Sequence, residues 1–272
     1  MNKNDAALLS EATYIMGNKS GNRTKKYNEI NELVKSTGYQ VIPNYTNKNL
    51  VTYQKIDDPK TVAIAHQGTN VKSTTGFKDI VSDVGIALGL GDHLPHIRKR
   101  KRKTEQVLKD LNPDKFYLSG HSLGGYTANH TIANSKRVQK HLTNAHTFNA
   151  AQNPILSNDL QVSDKVKKQL DDKVVHHRVH GDLVSAGFKK SLPFGKLQNY
   201  KLKDEHKNER AGERILSKML SFNPALKTIR NYTKKAIDSH HIDHFHQDRL
   251  TKVDKNTKNV SQEDEKIEEG EN

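Results

Sequence analysis

Residues 117–125 read Tyr117-Leu118-Ser119-Gly120-His121-Ser122-Leu123-Gly124-Gly125. Gly120, Ser122 and Gly124 stand at G-x-S-x-G spacing. That spacing belongs to a nucleophile elbow, a sharp strand-to-helix turn that pushes a serine Oγ out at the top of a sheet. Glycines two before and two after the serine are required because the turn brings backbones closer than a Cβ permits. The flanks fit. Lys115-Phe116-Tyr117-Leu118 reads as a short buried strand, and residues 125–137 read as a helix.

Outward from the elbow, strands and helices alternate. Residues 5–16 and 23–35 carry helical periodicity, broken by Gly17, Gly21 and Gly38. Residues 39–43 and 50–55 read as a strand pair joined by an Asn-rich turn, and Thr61-Val62-Ala63-Ile64-Ala65 reads as a buried strand. A short helix is expected over 77–88 and a basic amphipathic helix over 99–111, with Pro113 after it. Past the elbow come a strand at 145–149, a polar helix at 159–171 and a strand at 174–179. Two basic helical stretches, 209–221 and 225–237, form a helical insertion before the last helix. The alternation predicts an α/β architecture, a mostly parallel central sheet flanked by helices. Residues 1–250 read as one domain, and 251–272 read as a polar, acidic, disordered tail.

Composition narrows the partners. The chain has 272 residues, enough for one sizeable core, and a formal net charge of +14. That charge favours anionic partners. With no cysteine, disulfides and thiolate metal sites are excluded. Neither a Sec-type signal peptide nor an uncharged run of membrane-spanning length is visible, so a cytoplasmic location is the default expectation, with export by another route left open.

A serine nucleophile needs a base and an orienting carboxylate. With this elbow the chain order is serine, acid, histidine. Asp182 follows the strand at 174–179, at the sheet end where such folds present their functional loops; Asp171 and Asp172 precede that strand and sit at the wrong end. The base should come from Ser239-His240-His241-Ile242-Asp243-His244-Phe245-His246. His240 and His244 also stand at the i, i+4 spacing of helical metal ligands, but no glutamate completes an H-E-x-x-H motif, so no metal and no other cofactor is expected. His246 and His241 read as histidines on a solvated polar helix. For the oxyanion hole, one donor is the Leu123 backbone N–H, and the second comes from the loop His66-Gln67-Gly68-Thr69-Asn70, through Thr69.

The motif order resembles the class 3 (fungal-type) lipase family of α/β-hydrolases. The corresponding pieces are Gln67-Gly68-Thr69, the lid-like Phe77 to Asp83, His121-Ser122-Leu123-Gly124-Gly125, Thr147-Phe148-Asn149, Gly181-Asp182-Leu183-Val184 and His240-His241-Ile242-Asp243-His244-Phe245. The resemblance spans roughly residues 60–250 and implies an α/β-hydrolase fold. It also implies a Ser122–Asp182–His240 triad, with His244 as the alternative base. Three departures stand out: Gln67 replaces an arginine, Asn149 a glycine and Phe77 a tryptophan.

The resemblance implies a carboxylic-ester hydrolase of lipase or phospholipase A type, acting on a lipid or ester substrate. The apolar, glycine-broken segment around Ile80, Val84, Ile86 and Leu88 suits either a lid or a core helix. Basic helices could meet an anionic membrane surface. The run Arg98-Lys99-Arg100-Lys101-Arg102-Lys103 reads as a solvated helix start, and no nucleic-acid-binding motif accompanies it. Two alternatives remain: a hydrolase-fold binding module for membrane or nucleic acid, and a small-ester esterase.

Overall fold

The computed structural model describes residues 1–18, 21–69, 94–151, 160–180, 193–203, 242–247 and 249–253. Eight strands form one sheet in chain order. They are β1 Tyr39–Val41, β2 Leu50–Lys55, β3 Thr61–His66, β4 Lys115–His121, β5 Leu142–Phe148, β6 Val174–Val179, β7 Lys196–Leu202 and β8 Leu250–Lys252. β3 to β7 are mutually parallel, while the β1–β2, β2–β3 and β7–β8 pairs are antiparallel. The expected mostly parallel sheet is therefore present. Among the described residues six α-helices accompany it: α1 Lys3–Gly17, α2 Arg23–Val34, α3 Leu94–Leu111, α4 Leu123–Ala133, α5 Lys136–His141 and α6 Asp164–Asp171.

β3 shows why the sheet is a middle layer. All six of its residues are buried, and successive side chains point to opposite faces. Val62 and Ile64 pack with Val107 and Leu108 of α3 and Ile132 of α4. Ala63 and Ala65 face Leu9, Ala12 and Met16 of α1. The small residues on that second face let α1 lie close, and the Ser10 hydroxyl donates to the Ser119 hydroxyl of β4 at 2.9 Å. Local signals start the helices. The Asn2 side chain accepts from Asp5 N–H in α1, and Asn22 accepts from Lys25 N–H in α2.

Several boundaries move. The helix expected over 125–137 ends at Ala133, and Ser135 caps a separate α5 by accepting from Val138 N–H. The helix expected from 159 begins at Asp164, because Ser163 is extended (φ −65°, ψ 155°). β7 and β8 went unanticipated. Among β7 residues only Tyr200 is buried, and β8 has three residues, so their strand character comes from pairing rather than pattern.

The core on the C-terminal side carries histidines. Tyr200 Oη, His177, His146 and the Met1 carbonyl form a chain of hydrogen bonds at 3.0, 2.9 and 3.2 Å across β7, β6 and β5. Since a carbonyl can only accept, one proton assignment satisfies the chain: Tyr200 donates to His177 Nδ1, His177 Nε2 to His146 Nδ1, and His146 Nε2 to Met1. Both rings are then neutral, and charging either would place a cation in a buried site. Burial lowers the His146 and His176 pKa values to about 4 and that of His66 to about 3, and takes His177 well below the usual value. A depressed folded-state pKa means that the unfolded chain binds more protons between about 4 and 6.5, so this stability is complete above pH 6.5 and is lost as pH falls through that window. Unfolding free energies from urea titrations between pH 7.5 and 5.5, above the carboxylate range, should therefore fall, by up to roughly 1 kcal/mol per histidine for each pH unit below 6.5. A flat profile there would contradict neutral burial.

Candidate active site

β4 runs into Ser122, which adopts φ 56° and ψ −127°, and α4 starts at the next residue. A positive φ on a side-chain-bearing residue costs on the order of 1–3 kcal/mol and persists only where neighbours over-determine it. Here Ser122 N–H donates to Phe148 O at 3.0 Å, and Ser122 O accepts from Tyr126 and Ala151 N–H, each at 3.1 Å. The motif glycines are needed for contact. A Cβ on Gly124 would lie 2.1 Å from His66 O, so backbone of α4 rests directly on the end of β3. The serine is 3% exposed.

That contact brings the loop after β3 against the nucleophile. A Cβ built on Gly68 would sit 3.3 Å from Ser122 Cβ and 2.7 Å from His121 O. The Tyr14 hydroxyl packs against Gly68, where a Cβ would come within 2.4 Å of it, and lies 2.7 Å from His121 Nδ1. Gln67 N–H donates to Asn49 O at 3.0 Å. Gln67 N–H is thus occupied, whereas among the described residues no hydrogen bond engages the Thr69 or Leu123 backbone N–H. Ser122, Leu123 and the loop after β3 lie together, as the spacing implied.

Two departures from the family pattern have structural answers. Asn149 takes φ 42°, a left-handed conformation that glycine adopts freely and asparagine tolerates better than most residues. Its Oδ1 accepts from Val179 N–H at 2.9 Å, tying β5 to the end of β6. Gln67 carries no guanidinium, but Arg100 reaches its carbonyl from α3 at 2.6 Å. The basic run is therefore not wholly solvated. Arg98, Lys99 and Arg102 are exposed, while Arg100 turns inward with Ile97, Thr104, Val107 and Leu108. The spacing 97, 100, 104, 107, 108 is helical and was legible in the sequence.

Of the histidine-rich segment, Ile242–Phe245 forms a 3-10 turn docked against the same end of the sheet. The Phe245 ring lies 4.9 Å from that of Phe148, the residue whose carbonyl takes Ser122 N–H. His244 is 2% exposed, and His246 pairs with Glu11 of α1. His246 is thus not on a solvated helix as expected, because α1 supplies a carboxylate. Asp182 and His240 lie outside the described residues, as do the lid-like segment 77–88, His241 and the helical insertion at 209–237. β6 ends at Val179, three residues before Asp182.

A serine at positive φ between a central parallel strand and a helix, in a sheet of this order, defines an α/β-hydrolase fold. Solved structures that it resembles are lipases, all at low identity. One is a triacylglycerol lipase whose catalytic centre is formed by a serine-protease triad: 14% identity, 74% of this chain, 78% of that chain, TM-score 0.41. A mono- and diacylglycerol lipase from Aspergillus oryzae gives 17%, 72%, 77% and 0.41. The Rhizomucor miehei triacylglyceride lipase gives 14%, 72%, 79% and 0.38. No family model matches the sequence, and no curated protein matches it significantly. The fold assignment rests on the sheet and the elbow themselves.

Asn149→Ala should lower stability by about 1 kcal/mol more than Asn149→Gly, since alanine adds left-handed strain to the hydrogen bond that both lose. Equal denaturation midpoints for the two variants would show that the positive φ is not a constraint.

Proposed function

We propose that the chain is a serine carboxylic-ester hydrolase acting on acyl esters of lipids. The observation that carries this reading is Ser122 held at φ 56° against a loop whose Thr69 N–H, like that of Leu123, is unengaged among the described residues. In the proposed reaction Ser122 Oγ attacks the ester carbonyl and its proton passes to His240, with Asp182 orienting the imidazole. The carbonyl oxygen becomes an oxyanion held by the N–H groups of Thr69 and Leu123. Collapse breaks the C–O bond to the alcohol, which leaves with the proton from His240. Water, deprotonated by the same base, then cleaves the acyl-serine and releases the acid. The chemistry requires no cofactor.

Phospholipase A-type specificity is favoured over neutral-lipid and small-ester cleavage by charge. Arg98, Lys99 and Arg102 of α3 and Lys136, Arg137 and Lys140 of α5 are exposed, and an anionic lipid surface would attract them. A single domain over 1–250 with a polar tail completes the proposal.

Wild type should hydrolyse short-chain p-nitrophenyl esters and anionic phospholipid vesicles, and Ser122→Ala should lose at least about 1,000-fold in each. His240→Ala should match that loss while His244→Ala retains activity; the reverse moves the base to His244. Ester cleavage without vesicle cleavage favours an esterase. A wild type that binds vesicles or nucleic acid yet neither cleaves nor reacts with a fluorophosphonate is a binding module.

A further inference from the structure

The loop beside Ser122 ends in a glycine and a threonine, and a glycine peptide is the one most free to rotate. If Thr69 N–H is to meet an oxyanion, something must fix the plane before it. The structure shows two side chains on that plane, from elements on opposite faces of the sheet. Gln67 O and Gly68 N–H belong to one peptide unit, which is planar. Arg100 of α3 donates to its carbonyl at 2.6 Å. The Tyr14 hydroxyl of α1 lies against Gly68, within 2.4 Å of where a Cβ would stand. The peptide is thus contacted from both faces of the sheet.

Helix and strand geometry put Tyr14 there. α1 runs alongside β4, with Ser10 bonded to Ser119 and Tyr14 to His121. Four helical residues advance about 6 Å and two strand residues about 6.6 Å, so the helix keeps pace with the strand to its C-terminal end. The Tyr14 hydroxyl lies against Gly68 and is hydrogen-bonded with His121 Nδ1, so it bridges the loop to the residue preceding the nucleophile. Burial raises its pKa far above neutrality, so the hydroxyl stays protonated at neutral pH. Arg100 is also buried at its guanidinium, with its pKa lowered to about 10, so it remains charged at neutral pH. Among the described residues it pairs with no carboxylate. Among the described residues its guanidinium makes one hydrogen bond, to the loop carbonyl.

We propose that Tyr14 and Arg100 are positioning residues that lock the Gln67–Gly68 peptide, and through it aim Thr69 N–H at the acyl oxyanion. The inference rests on the ester-hydrolase reading for its catalytic consequence, but the lock itself is measurable without turnover. Preset donors stabilise a transition state more than a ground state, so loosening them should lower kcat and leave KM nearly unchanged.

The test uses full-length wild type, Tyr14→Phe, Arg100→Gln, Arg100→Lys and the Tyr14→Phe/Arg100→Gln double variant. Amide exchange followed by mass spectrometry over residues 66–69, at a temperature well below each variant's melting point, should accelerate at least about 10-fold in Tyr14→Phe and Arg100→Gln. With p-nitrophenyl esters, kcat should fall about 10- to 100-fold with KM within about 3-fold. Arg100→Lys should restore part of the loss. Because both side chains hold one peptide, the double variant should lose less than the product of the single losses. Wild-type exchange and kcat in Tyr14→Phe and Arg100→Gln would overturn the proposal, as would a loss confined to KM. A wild type inert to both ester and fluorophosphonate would overturn the hydrolase reading and the catalytic half of this one. Unchanged exchange in that inert protein would remove the lock as well.

Discussion

Backbone lying directly on backbone is the constraint from which the site follows. Gly124 touches the carbonyl of His66 so closely that a methyl group would overlap it. That contact joins the first turn of the elbow helix to the end of β3, and so sets the loop after β3 beside Ser122. Take the contact away and two parallel strands remain, but their loops separate by a side chain's width. Stabilisation of a developing oxyanion by N–H groups from two chain segments is not possible at that separation, since a hydrogen bond tolerates only a few tenths of an ångström. The strain of Ser122 at positive φ is the counterpart of the same approach, and Phe148 O, Tyr126 N–H and Ala151 N–H hold it in place.

The two faces of the sheet contribute unequally. On the α3 side, large aliphatic side chains fill the space between Val62, Ile64, Leu118 and the helices. On the α1 side, Ala63, Ala65 and Ser119 leave little room, and α1 sits close enough for hydroxyl contacts. Close approach lets a tyrosine of ordinary length reach the end of β4. It also makes the C-terminal side of the sheet polar within, where His146, His177 and Tyr200 satisfy one another across three strands. Burial makes charging any of these rings costly, and among the described residues no carboxylate shares the charge.

Charge has more than one use in this chain. Of six consecutive basic residues, the helical period of α3 turns Arg100 inward and leaves Arg98, Lys99 and Arg102 in solvent. The same segment thus provides a surface suited to anions and a buried guanidinium on the loop beside the serine. Arg100 also places a guanidinium on the Gln67 carbonyl, from a helix instead of from the loop itself.

The sequence determined the elements whose chemistry is local. G-x-S-x-G flanked by strand and helix marked the elbow, because only glycine tolerates those contacts. Short strand-forming runs marked β3, β4, β5 and β6, because buried parallel strands favour apolar and β-branched residues, although β5 and β6 also bury histidines. Inward-facing Arg100 was also legible at helical spacing, although the density of charge around it suggested solvent. Only tertiary structure decided the rest. β7 and β8 become strands because a neighbour offers its edge, not because their own residues alternate. Asn149 replaces a glycine without loss of the turn because Val179 N–H is there to bond its side chain. Tyr14, more than a hundred residues from His121, meets it because α1 advances in step with β4. No pattern within α1 could announce that contact, since it depends on the distance between two elements and not on the identity of either.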